Sequence, residues 1–158
     1  MGIKWLSMIG VCLVSIWFLY NGYLLINDSK HYGEEYYRAY VKLHTYYETN
    51  LDRKIRKMVS FVRIPDPEIF NNHKAKIPKI ISYAYFLCPL SMLLGLNFMA
   101  YPLAVLHLFY AALFDNPVLT ANTAEYDAKK RALMFDACLI ATLFVVAGAK
   151  LYRKDKKK

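Results

Sequence analysis

Residues 80–114, IISYAYFLCPLSMLLGLNFMAYPLAVLHLFYAALF, contain no Lys, Arg, Asp or Glu, and this sets the solvent in which the chain folds. One helical crossing of about 30 Å of hydrocarbon takes roughly 20 apolar residues. A run of about 35 is therefore too long for one crossing and just long enough for two short ones. Gly95, Asn97 and Pro102 cluster where the turn falls. The block reads as a transmembrane hairpin with almost no loop, its helices short or tilted, with Pro89 tolerated as a kink inside the first.

Two further runs complete the pattern. Residues 5–26 are free of charge, and residues 132–151 are interrupted only by Asp136 and by Lys150 at their end. The first run is too long for a signal-peptide core and is followed by Tyr23, Leu24, Leu25 and Ile26, with no small-residue cleavage site, so it is expected to remain as an anchor. The expected architecture is all-α, an integral membrane four-helix bundle. Its parts are span 1 (1–26), a connector (27–79), the hairpin carrying spans 2 and 3 (80–114), a polar loop (115–131), span 4 (132–151) and a basic tail (152–158). The net charge of +9 would suggest nucleic acid in a soluble domain. Here the basic residues flank apolar spans, where they meet phospholipid headgroups, and no nucleic-acid partner is expected. Lys and Arg are dense on both sides of the spans, so the positive-inside rule gives no clear orientation.

The connector has its own period. Asn27, Asp28 and Ser29 offer helix caps, after which Tyr32, Tyr36, Tyr40, Leu43, Tyr47, Leu51, Ile55, Met58 and Val62 recur at steps of three or four. Arg38, Lys42, Glu48, Arg53, Lys54, Arg56 and Lys57 occupy the other face. That predicts a long amphipathic helix between spans 1 and 2, lying on the membrane surface or against another subunit through residues such as Tyr36, Tyr40, Tyr47, Arg53 and Arg56. It stops before Pro65-Asp66-Pro67, and Pro78 marks the entry to span 2. Asp115-Asn116-Pro117 signals a turn after the hairpin.

Chemistry-bearing residues are few. His107 and Asp136 sit at membrane depth, about 10 Å and about 6 Å from one face at 1.5 Å per residue, so the two can meet. Such a pair either handles protons or a ligand, or serves as a hydrogen bond locking two helices together, with Arg131 another partner open to Asp136. The structural role is preferred. One intramembrane histidine cannot supply two axial haem ligands, and no nucleotide loop, zinc helix or catalytic triad is present in the sequence. Cys12, Cys88 and Cys138 lie inside spans without metal-ligand spacing. No catalytic activity, metal or cofactor is expected, apart from bound phospholipid. Small residues at Gly10, Ser15 and Gly22, and at Ala137, Ala141 and Gly148, suit close helix approach. The tail places Lys154 and Lys156 in the pattern of lysine-based retrieval signals of the endoplasmic reticulum, a pattern that any basic anchor next to a span also satisfies.

The glycines of the first span (Gly10, Gly22), the long connector, the tight hairpin at Leu94-Gly95-Leu96, the Asp115-Asn116-Pro117 turn and the final Ala147-Gly148-Ala149 together resemble the DoxX-like superfamily of four-span membrane proteins, which includes the Surfeit-locus cargo receptors. The resemblance implies the four-span fold, and with the lysine tail it implies a cargo receptor or transporter-like protein of the early secretory pathway. A quinone-linked redox subunit is a third implication. The Tyr-rich connector departs from that family's pattern, and no binding residue is carried over. Aromatic and Arg residues are enriched at protein interfaces, so the connector favours docking. The leading expectation is a noncatalytic accessory subunit packed among other membrane subunits and phospholipids, in an energy-converting respiratory complex of the mitochondrial inner membrane.

Overall fold

A computed structural model describes the backbone of residues 2–51, 65–120 and 122–148, and the side chains of residues 8–50, 65–120 and 122–148. Every regular element among them is helical. Helix α1 (Gly2–Asn27) turns at Asp28 into α2 (Ser29–Tyr46), which runs on through a π-helical turn, Tyr47–Leu51. Then come a short α3 (Pro67–His73), α4 (Ile77–Leu93), a 3-10 turn (Asn97–Met99), α5 (Ala100–Phe114), a second 3-10 turn (Pro117–Leu119) and α6 (Thr123–Gly148).

The segments Met8–Asn27, Asn97–Leu119 and Thr123–Gly148, of 20, 23 and 26 residues, are long and apolar enough to cross a membrane. Helix α4 is apolar but has 17 residues. That is about 26 Å at 1.5 Å per residue, short of a full hydrocarbon layer. Three helices thus meet the length and composition of a span where the sequence suggests four.

Local chemistry explains the boundaries. The Asp28 carboxylate accepts from the His31 N–H at 3.3 Å, capping α2 where the chain leaves α1. Asp66 does the same for α3, accepting from the Glu68 N–H at 2.9 Å with Pro67 in the first turn. The paired prolines therefore start a short helix instead of leaving an extended linker. Pro89 lies inside α4, where it has no N–H to offer the Tyr85 carbonyl, yet the helix continues to Leu93. It ends because Gly95 takes φ 91°, which lets the Leu96 N–H reach the Ser91 carbonyl and the Gly95 N–H reach that of Met92, each at 2.9 Å. This paired closure needs a left-handed residue, and glycine adopts it without a Cβ clash. Asn116 and Asn122 cap the elements that follow, accepting from the N–H groups of Val118 and Ala124.

Helix α1 packs along α4, and α5 along α6. In the first seam Gly22 is the close point: a Cβ there would stand 3.1 Å from that of Tyr85, and the Ser82 hydroxyl donates to the Gly22 carbonyl at 2.6 Å. Gly10 and Gly148, by contrast, face open space. Phe18, Tyr36, Met92, Leu103, Leu113 and Leu143 form the centre of the core, each almost fully buried.

The amphipathic connector departs most from expectation. Tyr36 and Tyr40 are buried in this chain's own core, packed against its other helices, where a surface position was expected. The Tyr36 ring meets Phe114 edge-on at 4.8 Å, and Tyr40 stacks on Phe70 at 4.8 Å while its hydroxyl donates to the Pro65 carbonyl at 2.7 Å. Burial pushes both phenols above their usual range, which keeps them neutral. Gly33 makes this docking possible, since a Cβ there would fall 2.5 Å from the Lys74 carbonyl oxygen. Beside it Lys74 pairs with Glu34 at 2.6 Å. The period of the tyrosines marked the face that is covered, but a period carries no information about what covers it.

Candidate functional site

The two polar residues at membrane depth come together. Nε2 of His107, on α5, and Oδ1 of Asp136, on α6, are 3.0 Å apart, and the residues are 1% and 5% exposed. Asp136, Leu143 and Ala147 are the buried positions of α6, so the carboxylate lies on the single stripe by which that helix meets the rest of the chain. Arg131 is on the exposed side of α6. Beyond this bond His107 Nδ1 is buried without a partner, and the carboxyl of Asp115, at the end of α5, lies beside that of Asp136. The tautomer of the ring follows the proton on Asp136: against an ionised carboxylate Nε2 donates and Nδ1 accepts, and against one protonated at Oδ1 Nε2 accepts and Nδ1 carries the proton.

Aromatic rings fix the imidazole. Tyr110 stacks on it at 5.7 Å with planes 6° apart, and Trp17 and Phe18 of α1 meet it edge-on at 5.3 and 5.7 Å. Phe18 also meets Tyr85 of α4. Two helices, α1 and α6, thus converge on His107 besides the one that carries it, and α4 reaches the cluster through Phe18.

A cavity of about 190 Å³ lies against this cluster. Its aromatic wall is Trp17, Tyr32, Tyr36, Tyr85, Tyr110 and Phe114, and its polar groups include Asn21, Glu35 and His107. It extends from the corner between α1 and α2, where Glu35 is exposed, inward to Trp17 and His107. No Lys or Arg lines it. The Asn21 amide donates to the Trp17 carbonyl at 2.8 Å, which pins it to its own helix. Neither the tyrosine hydroxyls nor Glu35 announced this cavity in the sequence. Glu35 sits one residue before Tyr36, on the flank of a stripe read as an external surface.

A second cleft, of about 280 Å³, is basic: Arg38 and Lys42 of α2 face Lys129 of α6 across Leu113, Phe114 and Leu119, with Glu35 at its edge. Lys129 also pairs with Glu125 at 3.3 Å.

Other residues singled out by the sequence stand apart from both. Tyr47 lies half-buried in the π-helical turn. Arg53 and Arg56, and the tail lysines Lys154 and Lys156, lie outside the described residues. Cys12, Cys88 and Cys138 are free thiols on three different helices, and no group of three or more potential metal ligands occurs among the described residues. Comparison with protein-family models, with curated proteins and with solved structures finds no match to this chain.

Proposed function

We propose that the chain is a noncatalytic accessory subunit of a large membrane assembly, crossing the bilayer four times, with an energy-converting complex of the mitochondrial inner membrane as that assembly. The observation that carries this reading is the isolation of α6. It buries Asp136, Leu143 and Ala147 and leaves Met134, Phe135, Phe144 and Val145 on its exposed sides. A span that packs along one neighbour offers the rest of its circumference to lipid or to spans of other subunits. Helix α4 becomes the fourth crossing by local thinning of the bilayer, since its apolar length falls only a few Å short. Arg38, Lys42 and Lys129 suit a phospholipid phosphate at the membrane surface, the bound lipid such a subunit carries.

Stoichiometric co-purification with a respiratory complex in mild detergent is the expected result. An endoplasmic reticulum distribution that is lost when Lys154 and Lys156 are changed to Ser would overturn it. That outcome belongs to a second reading, a cargo receptor or transporter-like protein of the early secretory pathway. The specific observation in its favour is the aromatic cavity, because a receptor needs somewhere to hold a ligand and a packing subunit does not.

A further inference from the structure

The seam between α5 and α6 carries one acid more than its hydrogen bond needs. His107 Nε2 occupies Oδ1 of Asp136 at 3.0 Å. The second oxygen, Oδ2, is buried, and no N–H group or hydroxyl among the described residues reaches it. What lies beside the Asp136 carboxyl is the carboxyl of Asp115, the half-buried residue that ends α5. Two ionised carboxylates in contact repel, and neither satisfies the other, because an ionised carboxylate only accepts. A protonated one donates. A single proton held between the two carboxyls turns that repulsion into a charge-assisted hydrogen bond and gives Oδ2 its partner.

The surrounding groups offer the proton no better place. On His107 a second ring proton would go to Nδ1, which is buried with no acceptor, so an imidazolium would leave a charged donor stranded among aromatic rings. Lys129, seven residues before Asp136 on α6, is the cation whose field reaches Asp115, and it is already paired with Glu125 at 3.3 Å. Tyr110 of α5 and Tyr85 of α4 present phenols to the pair, α2 sets Tyr32 and Glu35 around Tyr110, and α1 presents the uncharged rings of Trp17 and Phe18 to the imidazole. None of these brings a free positive charge to the two carboxyls.

We infer that Asp115 and Asp136 form a proton-binding site at one end of the seam between α5 and α6, holding one proton in common, with His107 neutral and donating through Nε2. The site exchanges through Asp115, which is half-buried where Asp136 is only 5% exposed. Release sends the proton to water and takes the pair from one negative charge to two, set against each other across the seam. The repulsion then acts on the stripe by which α6 holds to the rest of the chain, so the attachment of α6 follows the proton. The site stands whichever of the two functional readings holds.

Infrared spectroscopy of the full chain in lipid nanodiscs at neutral pH, with aspartate isotope-labelled at the side-chain carboxyl carbon, reads the proton directly. A protonated-carboxyl C=O band that shifts with the label is expected. It should vanish in Asp115→Asn and in Asp136→Asn, because the Asn amide donates to the carboxylate that remains. It should persist in Asp127→Asn, which changes an exposed aspartate of α6. Raising the pH should abolish the wild-type band, and hydrogen exchange in α6 should accelerate over the same interval, an acceleration missing in D115N. Heteronuclear NMR of the His107 ring should show a single ring proton, on Nε2. No labelled band at neutral pH, a band that survives in D115N or D136N, α6 exchange indifferent to loss of the band, or a His107 protonated at both nitrogens overturns the proposal. The wild-type band and the His107 spectrum need no substitution, so they decide even where the Asn variants fold poorly.

Discussion

The seam between α1 and α4 and the seam between α5 and α6 close by different physics. At the first, absent side-chain volume does the work: Gly22 lets the helices approach until the Ser82 hydroxyl reaches a backbone carbonyl. At the second, a buried imidazole and a carboxylate supply a directional bond between helices whose other contacts are apolar, among them the rings of Tyr101 and Phe144. In a bilayer the surrounding tails are as apolar as the core, so neither seam gains from hydrophobic burial as it would in water. Close packing is spread along a helix face, whereas a hydrogen bond fixes one register at one point. The first seam is therefore exposed to added bulk and the second to lost polarity.

Substitutions of opposite character separate the two. Gly22→Leu should have the largest effect, near the top of the about 1–3 kcal/mol range for overpacking, because both Tyr85 and the Ser82 backbone lie in the way. The thermal unfolding midpoint in mild detergent would fall accordingly, and an unchanged midpoint would mean that the α1 and α4 seam is looser than described. Gly33→Ala comes next: its Cβ meets backbone oxygen rather than a movable side chain, and the expected cost is about 1–2 kcal/mol. Faster hydrogen exchange confined to α2 is the readout. Asp136→Leu removes the polar bond and should cost about 1 kcal/mol, within the range for interhelical hydrogen bonds in membranes. Asp136→Asn, which can still bond to His107, should cost less and leave assembly with any partner intact. If Asn instead abolishes an assembly's turnover while the assembly persists, the pair has a chemical role beyond joining helices.

The smallest effect lies outside both seams. The hydrogen bond and charge of Lys74 hold the Glu34 carboxyl below its usual range. A carboxyl whose folded value is depressed contributes fully above its unfolded value and loses that contribution as pH falls through the folded one. Exchange in α2 should therefore rise slightly below about pH 4, and Lys74→Met should remove the dependence. The pair is solvent-exposed, so salt weakens the effect.

Much of this arrangement was legible because bilayer physics leaves few options. Charge-free runs and glycine at the hairpin mark the long apolar helices and a tight turn, although the runs suggest four spans and three helices reach that length, and the cost of polar groups at depth directed attention to His107 and Asp136. The destination of the connector was not legible. Tyr36 and Tyr40 fit an interfacial helix and an inward-facing one equally well, since a period of three to four residues selects a face and not its neighbour. Gly33 passed unnoticed for a related reason. Its need for space arises from Lys74, distant in sequence and brought near only when α2 folds back.

The sequence by itself determined the helical, apolar character of the long segments and several of the points where helices begin and end, because each follows from local charge, local caps and the length of apolar runs. The tertiary structure alone decided which faces meet: that the Tyr-rich helix covers the chain's own core, that α6 attaches along one stripe, and that rings from α1, α2, α4 and α5 enclose a cavity with a single carboxylate at its mouth. Those are relations between residues far apart in the chain, set by packing and by the bond between His107 and Asp136.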